Sequence, residues 1–156
     1  MNTTTGPARP LRILSILVML AGLVMLIGGA ATWITVQSQL ADEKITVAED
    51  ADWFAGQRVN GPLTAYSQAQ IIKKHELKAS GGKTYAELDQ KDPKRQTVMT
   101  GSFLRASLFT SVVSFGIAAM AMGLGALILL IGYALALVAR SLAASTPAAT
   151  PVDATV

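Results

Sequence analysis

Two apolar runs without a single charge constrain this chain more than any other feature. Ile13 to Val36 holds 24 residues and Ala106 to Ala139 holds 34, and neither contains Asp, Glu, Lys, Arg or His. As α-helix, at about 1.5 Å per residue, they extend about 36 Å and about 51 Å. A bilayer hydrocarbon core is about 30 Å thick. Inside it, every backbone N–H and C=O must be satisfied within the segment, which an isolated apolar run achieves only as a helix. The fold class expected is therefore an all-α membrane protein: two transmembrane helices joined by a partly helical extracytoplasmic segment.

The boundaries follow from where charge returns. Residues 1–12 read as a cytoplasmic N-terminal head and 13–36 as the first transmembrane helix. Residues 37–102 form the extracytoplasmic segment. Residues 103–139 are the second transmembrane helix with an N-terminal extension, its membrane core at about 112–138, and 140–156 a disordered cytoplasmic tail. A second crossing does not fit into the longer run, because no polar turn interrupts it. A cleaved signal peptide competes for the first run, with Gly29-Ala30-Ala31 as the peptidase site. Typical signal cores span only about 7–15 residues, and this one continues through Trp33 to Val36.

Orientation comes from the flanks. Arg9 and Arg12 precede the first run, whereas Asp42, Glu43, Glu49, Asp50 and Asp52 follow it against Lys44. The excess of Arg and Lys on the cytoplasmic side places both termini there, in a multi-pass plasma (inner) membrane protein. Lys91, Lys94, Arg95 and Arg105 before the second run oppose this, but the first helix usually dominates. The formal charge of +3 is thus a matter of placement about a bilayer. Nucleic acid is not an expected partner, since nine bases and nine acids are interleaved between residues 37 and 102. The absence of cysteine removes disulfides, thiolate metal sites and cysteine nucleophiles.

In the middle segment, Ile45-Thr46-Val47 reads as a short extended piece and Asn60-Gly61-Pro62 as a turn. Ser67 and Gln70 have capping-box spacing, so a helix over about 65–79 ending at Gly81-Gly82 is expected. Thr84 and Glu87 repeat the spacing before a short turn of helix. Asp92-Pro93 opens the next helix, with aspartate as the cap and proline where a missing N–H does no harm.

The stretch KKHELKASGGKTYAELDQ at 73–90 contains fragments of three reaction centres, and each fails on a countable position. A phosphate loop needs Gly, four residues, then Gly-Lys-Ser/Thr, and Leu77 stands where the first glycine belongs. His75-Glu76 begins a zinc motif, but Ala79 occupies the place of its second histidine. A facial iron triad needs two histidines, and His75 is the only one. No Gly-x-Ser-x-Gly elbow occurs. Catalytic, cofactor-binding and metal-binding residues are accordingly none, and no cofactor is expected. Both apolar runs lack an interior ionisable residue, so neither supplies a proton or ion path.

The runs do carry small residues four apart: Gly28 and Thr32, Ala119 and Gly123, Ala121 and Gly125, Gly132 and Ala136. Such stripes let helices approach closely in lipid. They serve either to dock the two spans on each other or to meet a partner protein or a second copy.

The segment running from LADEKITVAED to ELDQ, followed by SFLRASLFTSVVSFG, resembles a family of small two-span actinobacterial membrane proteins, across about residues 11–140. Members of that family sometimes carry an automatic label, aromatic ring-opening dioxygenase. The resemblance implies the two-span topology and no established activity. The label implies non-haem iron, for which this chain lacks the ligands.

The expected function is non-enzymatic: a structural or accessory partner of a membrane or envelope complex. The lipid bilayer is one partner and a membrane or envelope protein the other, with homo-oligomerisation a further possibility. The expected interaction surface is Asp50, Asp52, Trp53, Phe54, Lys73, Lys74, His75 and Lys78, the lysines being suited to headgroups. One alternative is an enzyme acting on lipid or cell-wall precursors through the middle segment. Another is a membrane sensor or regulator.

Overall fold

A computed structural model describes residues 8–145. Residues 1–7 of the expected head at 1–12 and residues 146–156 of the expected tail at 140–156 lie outside the described residues. The architecture is all-helical. α1 spans Ala8–Asp42, α2 Pro62–Ser80 and α3 Arg95–Ala144, with a 3-10 turn at Tyr85–Glu87 and one isolated β-bridge, Thr46 to Arg58. α1 and α3 contain windows of mean hydropathy 2.6 and 2.4, and both helices are long and apolar enough to cross a membrane.

Each long helix outruns its apolar run. α1 begins five residues before Ile13, with Pro10 in its first turn, where the backbone N–H has no helical partner to lose. It ends where Lys44 turns into left-handed backbone (φ 54°) and donates its N–H to the Ala41 carbonyl at 3.1 Å. Residues 140–144, expected to be disordered, continue α3, because Ser-Leu-Ala-Ala after Arg140 includes strong helix formers and no breaker.

α2 starts earlier than Ser67 and Gln70 indicated. Its cap is Gly61 with Pro62 in the first turn, and the Thr64 hydroxyl accepts the Gly61 N–H at 3.2 Å. Ser67 is instead buried inside the helix and donates to the Trp53 carbonyl at 2.5 Å. Gly81 (φ 77°) ends α2, its N–H reaching the Lys78 carbonyl while that of Gly82 reaches Leu77. Two of the four carbonyls left open at the helix end are thereby used. α3 begins at Arg95 rather than at Pro93, after a turn in which the Asp92 carboxylate accepts the Lys94 N–H at 2.9 Å.

The chain forms two compact units. Among the described residues the first comprises 8–27 and 121–145. Here α1 and α3 run antiparallel: Gly22 lies against Gly125 and Leu129, and Gly132 against Met19 and Ser15. The approach is backbone to backbone. A Cβ placed on Gly125 would sit 2.7 Å from the Gly22 carbonyl oxygen and 2.7 Å from the Leu26 nitrogen.

The second unit is Gly28–Met120. Its core joins Leu40 of α1, Val47 and Val59 of the bridged arch, Ala65 and Ala69 of α2, and Leu108 and Phe115 of α3. Trp33 packs edge-to-face on Phe115 with ring centroids 4.7 Å apart. The arch is held by Val47 N–H to the Gln57 carbonyl and Val59 N–H to the Ile45 carbonyl, both at 2.9 Å. Alternation along Ile45-Thr46-Val47 turns Val47 inward and Thr46 outward.

Candidate functional site

The second unit carries a groove of about 560 Å³ between the loop before α2 and one face of α2. The loop contributes Ala51, Asp52, Trp53 and Phe54, and the helix contributes Leu63, Tyr66, Ser67, Gln70, Ile71, Lys73, Lys74 and Leu77. Residues 63, 66, 70, 73, 74 and 77 recur at three- and four-residue intervals, so one stripe of α2 forms the wall. The loop is pinned in place by two side-chain bonds to α2. Ser67 holds the Trp53 carbonyl, and Gln68 accepts the Ala48 N–H at 3.0 Å.

Phe54 and Trp53 take opposite roles. Phe54, in left-handed backbone (φ 59°), turns its ring onto the core cluster. Trp53 stays 71% exposed, with Leu63 at 65% and Tyr66 at 43% on the α2 side. Tyr66 is backed edge-to-face by Phe109 at 5.9 Å. The groove is thus aromatic and aliphatic within, with two lysines and one aspartate along its lining.

Five of the expected surface residues, Asp52, Trp53, Phe54, Lys73 and Lys74, line this one groove. Asp50 and His75 form a pair, His75 Nε2 to Asp50 Oδ2 at 2.8 Å, with both side chains about half exposed. The hydrogen bond from His75 holds the Asp50 carboxyl below its usual range, assisted by the charge of Lys74. Lys78 is exposed on α2 and does not line the groove. No serine or threonine hydroxyl bonds to His75 among the described residues, and none of their His, Asp and Glu side chains group in threes fit for a metal.

The Gly-Gly-Lys-Thr stretch closes a helix. The N–H groups of Gly81 and Gly82 are taken by the last carbonyls of α2, and that of Thr84 by Glu87 Oε2 at 2.8 Å. Three donors that a phosphate would need are already spent. The Thr84 N–H, followed by its hydroxyl, holds the Glu87 carboxyl below its usual range.

One buried contact has no counterpart in the sequence reading. Glu76, 8% exposed, faces Arg105 of α3 at 3.4 Å. Gly101 makes room for it: a Cβ there would collide with the Glu76 carboxylate. Glu76 Oε1 and Arg105 Nε are buried without hydrogen-bond partners among the described residues. Arg95 holds the neighbouring turn, stacking 4.0 Å over Tyr85 and donating to the Leu88 carbonyl at 2.6 Å.

The small-residue stripes divide. Gly125 and Gly132 lie in the helix contact, with Ala121 and Ala136 half-buried beside it. Gly28, Thr32, Ala119 and Gly123 face outward, and a Cβ on Gly28 or Gly123 would meet nothing within 4 Å. Thr32 turns its hydroxyl back to the Gly28 carbonyl at 2.9 Å. The residue that the four-residue spacing missed is Gly22. Its signal is a seven-residue repeat of small buried residues along each helix, Ser15, Gly22 and Gly29 on α1 and Gly125, Gly132 and Ala139 on α3. That period marks the seam of a closely packed helix pair. Comparison with protein families, curated proteins and solved structures gives no match to this chain.

Proposed function

We propose that this chain is a two-pass protein of the plasma membrane, with both termini cytoplasmic. Its extracytoplasmic segment serves as a non-enzymatic docking surface for a membrane or envelope protein. Support for insertion comes from the two long helices, whose most apolar windows are only 17% and 11% buried. Exposed Leu, Ile and Val along both would form an apolar surface far larger than a soluble monomer presents.

The observation that carries the docking reading is Trp53. Its indole stands 71% exposed at the edge of a groove whose backbone is pinned by Ser67 and Gln68. Exposed Trp and Tyr on a fixed frame are the side chains that dominate protein interfaces. The partner fitted by this groove offers an apolar anchor with an acidic neighbour for Lys73 and Lys74. A photo-crosslinking residue at Leu63 should trap one partner in native membranes, and Trp53→Ala should abolish the adduct. An adduct unchanged by Trp53→Ala would overturn this reading. Reporter fusions at residue 60 and at the C-terminus should give opposite signals, and matching signals would overturn the topology.

The His75–Asp50 hydrogen bond favours the second reading, an enzyme acting on lipid or cell-wall precursors. Under that reading His75→Gln abolishes function while the Leu63 adduct persists. Under the docking reading it leaves function intact.

A further inference from the structure

The first unit contains a crevice of about 710 Å³ between the N-terminal end of α1 and the C-terminal end of α3. Three arginines converge on it, Arg9 and Arg12 from α1 and Arg140 from α3, and all three are exposed. Its walls are apolar, with Ile16 and Met19 facing alanines 136, 139 and 143. The small alanines keep the space open. Ser15 also lines it, but its hydroxyl is committed to the Arg12 carbonyl at 2.8 Å.

The charge here is one-sided. The first acidic residue of the chain is Asp42, and none lies between Asp92 and Asp153. The described residues of this unit therefore contain no carboxylate that could neutralise the arginines. Three guanidinium groups around one opening repel each other unless an anion joins them. Guanidinium binds phosphate oxygens through paired N–H donors. A volume of this size lies within the range of about 300–1,000 Å³ typical of ligand sites.

We propose that this crevice is a binding site for an anionic phospholipid of the cytoplasmic leaflet. Its phosphate is held by Arg9, Arg12 and Arg140, and the start of an acyl chain lies along Ile16, Met19 and the alanines. The inference rests on the membrane reading above. The apolar walls select a lipid over a free phosphate, which would satisfy the arginines and leave the crevice beneath them empty. Basic pockets between membrane helices on the cytoplasmic side are suited to such headgroups.

The test uses the full chain purified in detergent and exposed to equal amounts of phosphatidylglycerol and phosphatidylcholine. Retained lipid is counted by native mass spectrometry. The intact chain should retain phosphatidylglycerol preferentially. Each Arg→Gln substitution at 9, 12 or 140 should weaken retention about fivefold, and the triple variant roughly a hundredfold. Ala143→Phe, on an exposed part of the wall, keeps all three charges and fills the crevice, so it should also lower retention. Equal retention of the two lipids would overturn the proposal, as would a triple variant that behaves like the intact chain. Indifference to Ala143→Phe would reduce the arginines to diffuse surface charge and overturn the built site. Displacement of the lipid by millimolar inorganic phosphate would assign the arginines to a soluble anion instead. Alkaline extraction of the chain from vesicles separates the two failures. A chain that washes off fails the membrane reading, and one that resists extraction without lipid preference fails only this proposal.

Discussion

Adding one methyl group at Gly125 is the sharpest probe of the helix pair. Its Cβ would lie 2.7 Å from the Gly22 carbonyl oxygen, 2.7 Å from the Leu26 nitrogen and 3.1 Å from the Leu26 Cα. All three are backbone atoms, so no rotamer change relieves the overlap. Non-bonded carbons settle at about 3.5–4.0 Å, and α1 and α3 must part by roughly 0.5–1 Å. A gap of that size forfeits about a quarter to a half of each dispersion contact along the seam. Overpacking of this kind costs about 1–3 kcal/mol, or roughly 3–10 °C in melting temperature for a chain of this length. Gly123→Ala is the internal control. It lies two residues away, has nothing within 4 Å, and gains helix propensity. Thermal melts in detergent, followed by near-ultraviolet circular dichroism, should therefore lower the midpoint for Gly125→Ala and leave Gly123→Ala level or higher. Gly22→Ala should match Gly125→Ala, because its Cβ would meet the Gly125 oxygen and Leu129 nitrogen at 2.8 Å. The double variant should cost less than the sum, since one separation admits both methyls. Equal midpoints for Gly125→Ala and Gly123→Ala would refute the close approach.

Gly101→Ala should destabilise the second unit by about 1–3 kcal/mol, by forcing Glu76 off its site beside Arg105. Glu76→Ala in the same background should relieve the crowding, and urea titration of the four variants measures the coupling. Asp50 should titrate below the ordinary aspartate range and return towards it in His75→Gln, as read by carboxyl NMR shifts. Because the folded pKa is the lowered one, the Asp50 contribution is present above the unfolded carboxylate pKa. It is lost as pH falls through the folded value. Gly81→Ala should cost about 1 kcal/mol in the same titration, because φ 77° is left-handed backbone that a Cβ disfavours.

The groove depends on both long helices as much as on the polar segment that lines it. Val47, Val59, Ala65 and Ala69 supply only small apolar side chains, and the larger core residues are Leu40, Leu108 and Phe115. Trp33, Val36, Phe109 and Val112 complete the surroundings from α1 and α3. The loop carrying Trp53 is therefore fixed through a chain of contacts. Its carbonyl is held by Ser67, Ala65 and Ala69 seat that helix, and Phe109 backs Tyr66 on the groove wall. On the docking reading proposed above, a partner at Trp53 would meet a frame whose ordering entropy was spent on folding.

The legible parts of the sequence were those governed by local chemistry. Charge-free length gave the two long helices, Gly81 and Gly82 gave the end of α2, and the Thr84–Glu87 spacing gave the 3-10 turn. What stayed hidden depends on which residues meet across the fold. Ser67-Gln70 looked like a cap because the motif is short, and the Gly61-Pro62 start competed with it two turns away. Glu76 appeared as one acid among lysines; its pairing with Arg105 spans 29 residues and needs Gly101 to be opposite. The helix seam was missed for a different reason. Spacings of four are abundant in any Gly- and Ala-rich helix, so Gly28–Thr32 and Ala119–Gly123 satisfied the pattern while facing outward. A period of seven selects one face over many turns, because 3.6 residues per turn nearly repeats after two. Ser15-Gly22-Gly29 and Gly125-Gly132-Ala139 are buried with that period, and the backbones come close at Gly22, Gly125 and Gly132. The same distinction separates the arginines from ordinary flanking charge: Arg9 and Arg12 lie on one helix, but only the antiparallel seam brings Arg140 to the same crevice.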